Sequence, residues 1–140
     1  MASAHRVLIA EPDADERERL SSVVRSAGEA AGHELAIDEA GDGTTALALW
    51  TSGQPQLVVC EILLDGLSGL ALLRRMKNEP GETPPVIFVT RMSRESDRYW
   101  GLRNGAHAYL AKPYDDEQLR SRVRDLLEKG VEASRQRPLD

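Results

Sequence analysis

Five short apolar runs alternate with five helix-period segments along the chain, and that alternation restricts the fold more than any single motif. "RVLIA" (6–10) is continuously apolar after its arginine, as expected of a strand covered on both faces. Behind it, Leu20, Val23, Val24 and Ala27 recur at helical spacing. "ELAIDEA" (34–40) alternates polar and apolar residues, which predicts a less buried, edge-like strand. "GDG" (41–43) turns it into a short helix carrying Ala46, Leu47 and Trp50. "QLVVCE" (56–61) reads as the third strand, with its helix over 68–78 and the breaker-rich loop "EPGETPP" (79–85) beyond. "VIFVT" (86–90), the most uniformly apolar run, is expected at the centre of the sheet. A helix over 93–104 stops at Gly105, and "AHAYLAK" (106–112) forms the fifth strand, broken by Pro113. Asp115 with Gln118 reads as a capping box for a last helix that turns Leu119, Val123, Leu126 and Leu127 inward. Residues 1–129 are therefore expected to form one domain, and 130–140 a tail or linker without periodicity.

Strict strand–helix alternation implies a doubly wound, five-stranded parallel sheet with right-handed crossovers and helices on both faces. Sites in such sheets form at the carboxyl ends of the strands, beside the point where strand order reverses. Glu11, Glu61, Thr90 and Lys112 each close a different strand, so all four are expected on one rim. That convergence is the strongest functional signal in the chain.

Composition removes several function classes. A length of 140 residues suits one domain that buries roughly two-thirds of its unfolded surface. A net charge of −5 argues against general nucleic-acid binding, which rests on clustered positive charge. No apolar run approaches the ~18 residues of a membrane span, and "MASAHR" opens no signal peptide. A single cysteine, Cys60, excludes an internal disulfide and fits a reducing, cytoplasmic setting; its expected state is a small buried apolar residue. His5, His33 and His107 have no ligand spacing and are expected on the surface or in loops. Trp50 and Trp100 fall on helical faces and read as packing residues.

"VLIAEPD", "LVVCEILLDGLSG", "VIFVT" and "YLAKPYDDEQL" together resemble the receiver domain of bacterial two-component response regulators, over about residues 5 to 129. The segment "SRESDRYWGLRNGAHAYLAKP" looks more closely like regulators of the twitching-motility and chemosensory branch. The resemblance implies a flavodoxin-like (βα)5 fold and an aspartyl phosphorylation switch. In that family an Asp ending the third strand accepts a phosphoryl group, and two acidic residues after the first strand help hold Mg²⁺. A Lys pairs with the phosphoryl group, a Thr or Ser hydroxyl moves to it, and an aromatic turns inward. Carried onto this chain, Thr90 matches the hydroxyl, Lys112 the lysine, Pro113 the proline after it (often cis in the family) and Tyr109 the aromatic.

Two positions depart from the pattern. The acceptor position holds Glu61, and the acidic pair reads Glu11-Pro12, so a ring with neither charge nor N–H replaces a carboxylate. Asp65 does not rescue the site by a register shift, because Glu61 keeps the family's eight-residue spacing to Gly69 and Asp65 does not. Asp13 is the next acidic residue, but with Glu16 it reads first as the N-cap of the first helix. Glu61 is one methylene longer than Asp, and a misplacement of about 1 Å can lower a rate ~10²-fold. Mg²⁺ wants near-octahedral oxygens with one or two carboxylates, so no cofactor is expected beyond weak Mg²⁺ binding at Glu11 and Glu61.

Two readings of Glu61 stay open: a carboxylate that imitates the phosphoryl group, or a structural ion pair with Lys112 in a dead switch. An Asp-to-Glu exchange placed in a working regulator would leave Pro12 unaccounted for. Arg91, Arg94, Arg98 and Arg103, with Arg120, Arg122 and Arg124, flank Tyr109 in an acidic protein. They are either scattered surface charge or a partner surface centred on Arg94, Arg98 and Arg124. The leading expectation is a non-enzymatic regulatory domain that binds a protein, or a second copy of itself, through the fourth helix, fifth strand and fifth helix. The alternative is a working phosphoacceptor with an atypical Mg²⁺ site. A flavodoxin-like cofactor binder is disfavoured, since the loop "EPDADE" repels phosphate and lacks a Gly-rich cradle.

Overall fold

The computed structural model of the protein describes residues 5–129 and Gln136. The elements run β1 (His5–Ala10), α1 (Ala14–Ala30), β2 (Leu35–Ala40), α2 (Gly43–Gly53), β3 (Leu57–Cys60), α3 (Gly69–Asn78), β4 (Val86–Thr90), α4 (Glu95–Arg103), β5 (Ala108–Ala111) and α5 (Asp116–Lys129). All strand pairs are parallel and the sheet order is β2-β1-β3-β4-β5. This is the doubly wound (βα)5 sheet that the alternation predicts.

Period-two alternation splits the strands between two cores. Val7, Ile9, Val59, Ile87, Val89 and Leu110 pack under α1 and α5 with Leu20, Val24, Leu119 and Val123. Leu8, Val58, Cys60, Phe88 and Tyr109 face the other way, against Ala46, Leu72, Leu73, Met76 and Leu102 from α2, α3 and α4. Strands read as continuous apolar runs are those with both faces covered. β2 alternates, and it is an edge strand as expected.

Three local expectations are corrected. β4 is fully buried, but β3 holds the centre of the sheet. Both are apolar throughout, and apolarity reports covered faces without ordering the strands. His107 is not a surface histidine; it is 2% exposed at the head of β5. At α5, Asp115 caps the helix as expected, but its carboxylate accepts from the Glu117 N–H, at 2.8 Å, one residue earlier than the box pattern implies.

Candidate functional site

The strand order reverses between β1 and β3, because β2 lies on one side of β1 and β3 on the other. The carboxyl ends of these two strands therefore flank the crevice of the fold. Glu11 and Glu61 stand there, held by main-chain bonds from Glu11 N–H to the Ala40 carbonyl and from Glu61 N–H to the Ala10 carbonyl, each 2.9 Å. Thr90 closes β4, and Lys112 follows β5 through a bond from its N–H to the Thr90 carbonyl at 2.8 Å. The four residues named from the sequence meet on one rim.

Glu61 is 1% exposed, and its carboxylate is surrounded by donors. Oε2 accepts from the Leu63 N–H at 3.1 Å. Oε1 accepts from the Arg91 N–H at 3.1 Å and from Lys112 Nζ at 3.3 Å. The Thr90 hydroxyl stands near enough to help hold the carboxylate charged, while its oxygen accepts from the Met92 N–H at 3.1 Å. Burial pushes the Glu61 carboxyl up, but Thr90, the two main-chain N–H groups and the Lys112 charge outweigh it and hold the carboxyl below its ordinary value.

Lys112 bridges two buried carboxylates, Glu61 and Glu11. Burial pushes its ammonium down, while the hydrogen bond and charge of Glu11, with those of Glu61, carry it above its ordinary value. The second oxygen of Glu11 accepts from the Asp13 N–H at 2.9 Å. Asp13 itself caps α1, accepting from the Glu16 N–H at 2.9 Å, so its carboxylate serves the helix while its edge lines the crevice. The Lys112–Pro113 peptide is cis.

The open cleft over this network measures about 590 Å³ and is lined by Pro12, Arg19, Arg91 and Tyr114 besides the buried charges. Arg19 lies over the Tyr114 ring at 4.5 Å and donates to Asp116 at 2.7 Å, closing one wall by joining α1 to α5. A larger groove of about 740 Å³ lies at the opposite rim, between His5, Trp50, Pro84 and Leu127. The chemistry belongs to the smaller cleft, where the buried charges converge.

Mg²⁺ does not suit the donors present. Both Glu11 oxygens and both Glu61 oxygens already face N–H or ammonium donors. Pro12 offers no side-chain oxygen, and among the described residues no cluster of three His, Cys, Asp or Glu is placed to hold a metal. A cation here would have to displace Lys112 from between the carboxylates.

Tyr109 points inward and is 3% exposed, with its hydroxyl donating to the Met92 carbonyl at 2.5 Å. Its ring meets Phe88 edge-on at 6.1 Å. Gly101 on α4 makes room for it, since a Cβ there would lie 2.7 Å from the ring. Burial, then the charges of Asp97 and Glu61, push the Tyr109 phenol up.

The family profile of the response regulator receiver domain matches residues 7–124. The chain belongs to that family. Protein PilH of Pseudomonas aeruginosa is 34% identical over 124 residues, covering 87% of this chain and 97% of PilH. Response regulator PleD of Caulobacter vibrioides is 35% identical over 91 residues, covering 64% of this chain but 20% of PleD. A crystal structure of a putative response regulator from Chloroflexus aurantiacus superposes with a TM-score of 0.77 at 31% identity, covering 89% of this chain and 98% of that one. The chain thus carries a response regulator receiver domain, a signalling module of two-component systems, and spans only a fifth of the length of PleD. Among its described residues no helix is long and apolar enough to cross a membrane.

Within this receiver domain, the arginines named from the sequence do not form one set. Arg91 lines the acidic cleft, and Arg120 pairs with Glu117 and Ser26, toward α1. Arg94 occupies the N-cap position of α4, its main-chain N–H donating to Asp97 at 3.2 Å, Arg98 sits half-buried on that helix, and Arg124 is half-buried on α5. Arg103 lies 6.0 Å over the Tyr99 ring, beside Trp100, which is 59% exposed rather than packed. Asp65 is exposed in the loop, its carbonyl accepting from the Gly43 N–H. Residue patterns missed the Leu63 and Arg91 N–H donors, which carry no side-chain signature. Gly101 had one, an isolated glycine inside a helical period.

Proposed function

We propose that this receiver domain signals by binding, without being phosphorylated, and that Glu61 occupies the place of an acceptor and its phosphoryl group together. The observation that carries this reading is the set of three donors on one buried carboxylate, Lys112 and the Leu63 and Arg91 N–H groups, with the Thr90 hydroxyl also favouring its charged form. These are donors that an anion bound at the end of β3 would meet. With Thr90 drawn to Glu61 and Tyr109 packed inward against Phe88, the α4–β5 face is held in one arrangement without an incoming signal. The domain then performs no catalysis, and its output is a protein contact through α4, β5 and α5.

Two experiments bear on this. Intact mass after incubation with a small phosphodonor and Mg²⁺ is expected to stay unchanged, because Pro12 and the occupied Glu61 oxygens remove the metal site and the free nucleophile. A gain of one phosphoryl group that disappears in Glu61→Gln would establish the phosphoacceptor alternative instead. For the partner surface, charge reversal at Arg98 together with Arg124 should weaken association with an acidic partner or a second copy, more so at low salt. Unchanged pull-down and oligomeric state in that double variant would place the interface elsewhere.

A further inference from the structure

Both edges of the sheet carry main-chain groups that a neighbouring extended segment can pair with, and the two edges are built differently. β2 carries Asp38 and Glu39, charges that deter pairing. β5, "AYLA", carries none. Along β5 the bond from Lys112 N–H to the Thr90 carbonyl fixes which residues face β4. By the alternation of a parallel ladder, the Tyr109 N–H then points away from the sheet. His107, just before β5, breaks the alternation: its N–H donates to the Val86 carbonyl at 2.7 Å while its carbonyl faces outward.

Gln136 takes both of those groups. Its N–H donates to the His107 carbonyl at 3.0 Å, and its side-chain oxygen accepts from the Tyr109 N–H at 2.9 Å. One residue therefore supplies the donor and acceptor that a paired strand would offer, with the side-chain amide standing in for a main-chain carbonyl. The Tyr109 N–H is a donor, so the amide must present its oxygen there. Placement agrees with the length of chain between α5 and Gln136. Leu126 and Leu127 of α5 line the groove at the amino ends of the strands with His5 and Leu57, the end of the sheet at which β5 begins. Six residues separate Lys129 from Gln136, enough to span roughly 20 Å.

We propose that the uncharged edge of β5 is a strand-pairing site and that its resident occupant is Gln136 of the same chain, bound in cis. The cap closes the edge to other extended segments, including a second copy of the domain. It also sits on the main chain of Tyr109, whose ring packs between Phe88 and Gly101. Release of the cap and rearrangement of the α4–β5 face are thereby linked, and the linkage acts in both directions. It stands whether Glu61 acts as a phosphoryl mimic or as a structural ion pair.

Residue-resolved amide hydrogen exchange on the full chain tests the cap. The Tyr109 amide should exchange about tenfold faster in Gln136→Ala, which removes the acceptor. Gln136→Pro, which removes the N–H that meets the His107 carbonyl, should release it as well. The Lys112 amide, bound to Thr90 inside the sheet, should keep its rate in both variants. Equal Tyr109 rates in the parent and both variants would overturn the proposal. So would loss of Lys112 protection in either variant, which would make Gln136 a general prop of the fold. Protection of Tyr109 that rises with protein concentration would put a second copy on the edge and would equally sink the cis assignment.

Discussion

Replacing Lys112 by methionine is expected to destabilise the domain by about 3–5 kcal/mol, the range found when one partner of a buried ionic group is removed. Glu11 and Glu61 are 2% and 1% exposed, so the variant leaves two carboxylates facing each other out of water. The pH dependence then reverses in sign. In the parent, Glu61 titrates below its unfolded value, so its contribution is complete above about pH 4.3 and is lost as pH falls through the folded value. Lys112 titrates above its unfolded value, so its contribution is complete below about pH 10.4 and is lost as pH rises through the folded value. Without the ammonium, burial and mutual repulsion raise at least one carboxyl above its unfolded value. The Lys112→Met domain should therefore gain stability as pH falls from 7 toward 5, where the parent does not. Urea midpoints at the two pH values decide it. Adding Glu11→Gln should recover part of the loss at pH 7, since it removes one unpaired charge. A midpoint that barely moves in Lys112→Met would mean that water reaches the carboxylates and the network contributes little.

The convergence of Glu11, Glu61, Thr90 and Lys112 was legible because each closes a strand, and parallel topology brings strand ends together whatever the lateral order. That order was less legible. β3 and β4 are both apolar on two faces, so nothing in their periodicity distinguishes the central strand from its neighbour. Edge character could be read for β2, whose outward positions are charged, and not for β5, whose outward groups belong to the main chain. The same blindness hid half of the Glu61 environment. Thr90 and Lys112 announce themselves as side chains, whereas the Leu63 and Arg91 N–H groups would be supplied by nearly any residues in that backbone path. Arginine counting failed for a related reason. Arg91 and Arg120 are adjacent in sequence to the α4–β5–α5 face, yet one turns into the cleft and the other binds Ser26 on α1. His107 misled because isolated histidines between apolar residues carry no signal separating a buried strand start from a loop.

The second large effect concerns recovery of phosphorylation. Glu61→Asp alone should still fail to take up a phosphoryl group efficiently. Shortening the side chain by one methylene draws the carboxylate back from the Leu63, Arg91 and Thr90 donors and leaves them free for phosphoryl oxygens. Charge developing on those oxygens nevertheless stays poorly neutralised, because Glu11 is engaged by Lys112 and Asp13 N–H, and position 12 supplies no carboxylate. Pro12→Asp alone should fail too, since Glu61 still fills the phosphoryl position. The two changes together provide both the in-line distance and a second acidic ligand for Mg²⁺ beside Glu11, once the cation displaces Lys112 from Glu11 and leaves it free to pair with the phosphoryl group. The double variant should gain Mg²⁺-dependent labelling about 10²-fold above either single variant, a coupling expected of residues that act as one unit. Single-turnover labelling of all four proteins with a small phosphodonor reads this directly. Equal rates in Glu61→Asp and the double variant would show that Asp13 leaves the Glu16 N–H to complete the cation site, and that Pro12 is not what disables it.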